Sequence, residues 1–166
     1  MNRSREGTYK TTAYVNQDSE KYLERTTLGQ SKCGSIDTGK DAAHIAGYGL
    51  FNAIHTHTRG RPLSEENRDK IRRQLNSDEN LRIKSQYGNR VLDERRDARI
   101  AHALHNDIPI EGDSTSKRAA LAYKQFEKIL EAPSVARTLG DAIVLKKDGT
   151  RTTVRSLANG WDWWER

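Results

Sequence analysis

Residues 33–93 carry the pattern that decides how this chain is read: Cys33-Gly34, then Asp41-Ala42-Ala43-His44-Ile45, then Asn80-Leu81-Arg82-Ile83, and finally Asn89 and Asp93. His44 lies in a short run of small apolar residues that reads as a strand over 40–46. An imidazole fixed there can serve as a general base near neutral pH. Asn89 and Asp93 stand four apart in a segment that reads as a helix from about 87 to 104, with Val91, Leu92, Ala98, Ala101 and Leu104 as its apolar face. That spacing places both side chains on one helix face, where two oxygen donors can hold a hard divalent cation.

Outward from this stretch, the elements follow from local chemistry. Gly47 and Gly49 read as a loop after the His44 strand. Ser64, behind Pro62, reads as the N-cap of a charged helix over 65–74 with Ile71 and Leu75 on one face, ended by Asn76 and Asp78. Upstream, residues 8–15 read as a strand, 18–23 as a short helix and 29–40 as a loop or tight hairpin. Downstream, Ala119, Ala122, Tyr123, Phe126, Ile129 and Leu130 trace a helix capped by Asp113 or Ser114 and stopped by Pro133. Segments 142–145 and 151–154 flank Asp148-Gly149, a hairpin turn pair, and Trp161, Trp163 and Trp164 read as a hydrophobic lock on the core or, alternatively, as a stacking surface for single-stranded bases. The expected architecture is α+β in a single domain over 1–166: a hairpin-and-helix unit at 33–105, with a C-terminal helix and small hairpin at 113–166 packed on it.

The chain has 166 residues, of which 34% are hydrophobic and 31% charged, with a formal net charge of +6. Such a balance favours an anionic partner, nucleic acid first. The excess is concentrated: residues 59–99 hold 12 Lys and Arg against 8 Asp and Glu. Cys33 is the single cysteine, which excludes an internal disulfide and a cysteine-rich zinc site. No apolar run approaches membrane-spanning length and the first residues lack the apolar core of a signal peptide, so the chain reads as soluble and cytoplasmic, without a membrane partner.

Histidine, asparagine and then a helix bearing a metal ligand, in that order, resembles the HNH or ββα-metal endonucleases. Ala43-His44-Ile45 is similar to the form seen in one branch of that family, and Cys33-Gly34 is similar to the start of its hairpin. The resemblance implies a metal-dependent hydrolase of phosphodiester bonds, acting on DNA sooner than RNA, with Mg²⁺ as cofactor. It implies His44 as general base, Asn80 as the residue that braces the loop and orients it, and Asn89 and Asp93 as metal ligands. Ala43 stands where many members carry a ligand, and Asp41 is the substitute three residues upstream of His44. In an ideal strand that spacing points to opposite faces, so Asp41 serves only if the strand twists or bulges. Arg82, Lys84, Arg90 and Arg95 are the expected phosphate contacts.

Two other functions fit the same residues. A basic adaptor without catalysis would dock the arginine-rich helix on a nucleic-acid backbone. A metal-independent ribonuclease would pair His44 with His55 or His57 as acid and base, with Lys40 on the transition state. His55-Thr56-His57 would also present two imidazoles on one face of a strand, within reach of a transition metal if His102 and His105 approach.

Overall fold

The computed structural model describes residues 39–58 and 63–160. The strand and helix expected before residue 29, the loop that holds Cys33-Gly34 and the terminal tryptophans lie outside the described residues.

Strand β1 (Lys40–His44) pairs antiparallel with β2 (Leu81–Ser85), in unbroken register from Lys40 opposite Ser85 to His44 opposite Leu81. Between them the chain forms α1 (Tyr48–His57), α2 (Glu65–Leu75) and a 3₁₀ turn at Asp78–Asn80. After β2, a π-helical turn (Gly88–Asp93) runs directly into α3 (Glu94–His105). The chain continues through β3 (Ile110–Glu111), α4 (Asp113–Phe126) and α5 (Pro133–Asp141) to strands β4 (Ile143–Leu145) and β5 (Arg151–Thr153), and then α6 (Val154–Gly160). In the second sheet β3 pairs parallel with β4, and β4 pairs antiparallel with β5. The protein is thus a mixture of helices and two small sheets, not a tight first hairpin: 36 residues separate β1 from β2.

The core forms where the helices meet. Leu50, Phe51 and Ile54 of α1 pack with Ile100 of α3, with Phe126 and its neighbours on α4, and with Val135 and Leu139 of α5. The Phe51 and Phe126 rings meet edge-on at 5.6 Å. Helix α2 starts as its sequence predicts, the Ser64 hydroxyl accepting from Asn67 N at 3.2 Å, and Asp148-Gly149 turns the β4–β5 hairpin with Gly149 at φ +86°.

Four expectations are corrected. Gly47 and Gly49 do not form a loop: Gly47 caps α1 and Gly49 lies inside it, because burial of Leu50, Phe51 and Ile54 outweighs a helix penalty of about 1 kcal/mol for a glycine. The apolar face of α3 is not set by Ala98; that residue is exposed, and Ile100 and Ala103 are buried instead. The i→i+5 turn at Gly88–Asp93 offsets the helical phase, so a uniform 3.6-residue period carried forward from Val91 and Leu92 misses the face. Helix α4 ends at Phe126, leaving Leu130 83% exposed. Pro133, expected only as a stop, is the first residue of α5, where its missing N–H costs no hydrogen bond.

Candidate functional site

Strand β1 ends at His44, and the chain beyond it is tied down by one side chain. Asn80 is fully buried; its Oδ1 accepts from Ala46 N at 2.8 Å, and its Nδ2 donates to Ala46 O at 2.8 Å and to Leu75 O at 2.6 Å. The Asn80 carbonyl also accepts from Ile45 N at 2.8 Å. One carboxamide therefore joins the exit of β1 to the end of α2, and each such bond is worth about 1 kcal/mol. The 3₁₀ turn delivers Asn80 to this place immediately before β2 begins.

Asn76, the C-cap of α2, lies 2.9 Å from His44 Nε2 through its Oδ1. In the tautomer that carries its proton on Nε2, the ring donates to this amide oxygen, and the contact fixes the orientation of the imidazole. Tyr48 meets the same ring edge-on at 6.3 Å. In the sequence Asn76 reads only as a helix stop; nothing local links it to a histidine 32 residues away.

Two buried carboxylates complete the site. Asp41 accepts from Arg90 Nε at 2.9 Å and Arg90 Nη2 at 3.0 Å, and from Asn89 Nδ2 at 2.8 Å. The π turn sets Asn89 and Arg90 against β1 together. Asp93 takes a different set of partners: Lys84 Nζ at 2.6 Å, Arg96 Nη1 at 3.0 Å and Arg118 Nη1 at 3.4 Å. Asn89 and Asp93 thus border the same cleft but are not bonded to the same groups. Arg118 reaches in from α4, forking onto Asp97 at 2.9 and 3.1 Å and donating to the His44 carbonyl at 3.4 Å. Burial pushes the Arg118 guanidinium down, but its bonds and attraction to Asp97, with the charge of Asp93, more than offset this and leave its pKa above the usual value.

Asp41, His44, Asn89, Arg90, Asp93 and Arg118 all line one cleft of about 620 Å³, together with Tyr48, Leu50, Ala53, Ala98 and Ala101. Asp41 and His44 reach it from a strand whose register has no bulge. No family model, curated protein or solved structure matches the chain. The cleft's chemistry must therefore be argued from its own residues.

Asn80 lies behind the cleft, bonded to backbone alone among the partners described. Arg82 and Arg95 are exposed, whereas Lys84 and Arg90 are half-buried on Asp93 and Asp41. Lys40, His55 and His57 do not border the cleft. The two histidines belong to helix α1, not a strand, so residues two apart point to different sides; His55 stacks on Phe51, and His57 meets His105 edge-on at 4.7 Å.

Among the described residues no group of three or more His, Cys, Asp or Glu is gathered to hold a metal. Mg²⁺ does not require one, since it is commonly held by one or two carboxylates together with waters and substrate phosphates. Asp41 fits that pattern once Arg90 leaves its carboxylate. Asn89 turns its Nδ2 towards Asp41 and its Oδ1 away, so it joins Asp41 on a cation only after its amide rotates. Asp93, ringed by three cations, fits less well.

Proposed function

We propose that the protein is a divalent-metal-dependent endonuclease of the HNH type, hydrolysing phosphodiester bonds, with DNA as the first substrate to test. The observation that carries this reading is that Asp41, His44 and Asn89 line the same cleft, with the chain after His44 clamped by a buried asparagine. The reading is supported by the order of β1, β2 and α3, and it takes α1 and α2 as insertions between the two strands.

In this reading the His44 imidazole takes a proton from the attacking water, while Asn76 orients the ring through its contact with Nε2. Asn80 keeps the imidazole in place through the backbone of Ala46. Asp41 would hold Mg²⁺ after Arg90 leaves it, joined by Asn89 through a rotated amide, and the ion's chemistry is to offset charge developing on the phosphate and the leaving oxygen. Arg82 and Arg95 contact flanking phosphates, and Asp93 organises Lys84, Arg96 and Arg118 rather than the cation. No helix among the described residues is long and apolar enough to cross a membrane.

A plasmid-nicking assay tests the reading. Nicking is expected with Mg²⁺, none with EDTA, and a loss of about 10²- to 10⁴-fold in His44→Ala, the range for a general base. Cleavage that persists in His44→Ala removes the proposed base. Salt-sensitive binding with no cleavage under any metal makes the protein a basic adaptor, and RNA cleavage in EDTA makes it a metal-independent ribonuclease.

A further inference from the structure

The two buried carboxylates of the cleft are neutralised unequally. Asp93 has three cationic partners on three different elements, Lys84 from β2, Arg96 from α3 and Arg118 from α4. Asp41 has one, Arg90, with the neutral amide of Asn89 as its other donor. Lys84 stands directly opposite Asp41 in the β1–β2 ladder, yet its ammonium is 2.6 Å from Asp93. Loss of Arg90 would therefore leave Asp41 buried with no described cation bonded to it, a state that strongly favours capture of another cation.

Arg90 is also the guanidinium most able to leave. Its side chain is 34% exposed, against 9% for Arg118, which is held by Asp97 and Asp93 together. Only two of its five N–H donors are spent on Asp41, and it lies on the turn that lines the cleft. Guanidinium pairs with carboxylate and with phosphate in the same bidentate geometry, so Arg90 can exchange one for the other without changing the kind of bond it makes.

We propose that Arg90 is an internal stand-in for the divalent ion: it occupies Asp41 while the cleft is empty and moves to a substrate phosphate when a cation takes the carboxylate. The inference rests on the metal-dependent reading above and adds to it a coupling between metal and nucleic acid. Each ligand would favour the other, because the metal frees Arg90 for phosphate and phosphate draws Arg90 off Asp41.

The test is Mn²⁺ binding to the full chain by calorimetry or electron paramagnetic resonance, without nucleic acid, for wild type, Arg90→Gln, Arg90→Lys and Asp41→Asn. Arg90→Gln is expected to bind Mn²⁺ about tenfold tighter, the lower end of what outer-shell partners contribute to metal affinity. Arg90→Lys retains the competing charge and is expected to stay near wild type. It shows in addition whether a variant at this position folds. In the absence of metal, wild type and Arg90→Gln should bind an oligonucleotide with the same salt dependence; with Ca²⁺ present, the slope should be smaller for Arg90→Gln by about one phosphate contact. Mn²⁺ affinity that is unchanged or weaker in Arg90→Gln, while Asp41→Asn abolishes binding, overturns the exchange and leaves the metal site standing. Mn²⁺ binding that is the same in Asp41→Asn as in wild type overturns both.

Discussion

Between β1 and α3 the described residues bury six polar or charged side chains, Asp41, His44, Arg72, Asn76, Asn80 and Asp93; between β3 and α6 they bury three, Thr115, Ser116 and Arg118. In the first region each buried polar group needs a partner at bonding distance, since an unsatisfied one costs several kcal/mol. There, identity matters atom by atom. In the second region Phe126, Val135, Leu139, Val144, Val154 and Leu157 fill space, and volume matters more than which atoms carry it. The ribbon-and-cleft half is specified by hydrogen bonds, the C-terminal half by packing.

The largest expected effect that tests this division is Asn80→Ala. It strands Ala46 N, Ala46 O and Leu75 O, and with about 1 to 3 kcal/mol for each buried group left unpaired the loss should reach about 4 kcal/mol in urea denaturation. Mn²⁺-dependent nicking by any folded fraction should fall as well, because the chain beyond His44 is no longer held. A loss under about 1 kcal/mol would show that the clamp does not hold the loop. Phe126→Ala, its counterpart in the packed half, should cost about 3 to 4 kcal/mol through the cavity left beside Phe51. On the nuclease reading, its nicking per folded molecule should match wild type. If Phe126→Ala lowers nicking as much as Asn80→Ala does, the two halves are not separable in this way.

The same division explains what could be read in advance. Helix α2 from Ser64, helix α4 from its alanine and aromatic spacing, and the hairpin at Asp148-Gly149 all have causes within a few residues of themselves. Helix α1 was hidden because Gly47 and Gly49 dominate locally, while the burial that stabilises Leu50, Phe51 and Ile54 is supplied by α3, α4 and α5. The buried face of α3 runs through Asp93, a residue that hydropathy places outside the core, so the apolar pattern gave the wrong phase. At the site, Asp41, His44, Asn80 and Asn89 were legible as residue types in a suggestive order. Asn76 and Arg118 were not, since their bonds to His44 span 32 and 74 positions and leave no periodic trace.

Arg118 is where the two regions meet, and its removal should rank third. Arg118→Met takes the fork from Asp97 and one cation from Asp93, which retains Lys84 and Arg96. Breaking a fully buried pair costs about 3 to 5 kcal/mol, and because Asp97 is partly solvated the expected loss is about 2 to 3 kcal/mol. Arg118→Met with Asp97→Leu should recover part of that loss, since no unpaired carboxylate then remains. A double-mutant cycle with no coupling would mean that packing alone joins α4 to the cleft.

The smallest effect lies wholly in the packed half and separates its two opposing terms. A Cβ added at Gly140, near the end of α5, would stand 2.6 Å from Tyr123 Cε1 and 2.8 Å from Arg155 Nη2. Arg155 is long and partly exposed, so it can swing away, giving up its ion pair with Asp141 and its place over the Tyr123 ring. The Tyr123 ring is buried and must shift against its neighbours. Overpacking of this kind costs about 1 to 3 kcal/mol, while exchanging glycine for alanine in a helix returns up to about 1 kcal/mol. Gly140→Ala should therefore destabilise by about 1 kcal/mol in a thermal melt. In a Tyr123→Leu background the obstructing ring is gone and what remains is the helix term against the displacement of Arg155, so the cost of the same substitution should shrink towards neutral. An equal cost in both backgrounds would place the constraint in the backbone at Gly140 rather than in side-chain volume, and would remove this position from the packing-specified half.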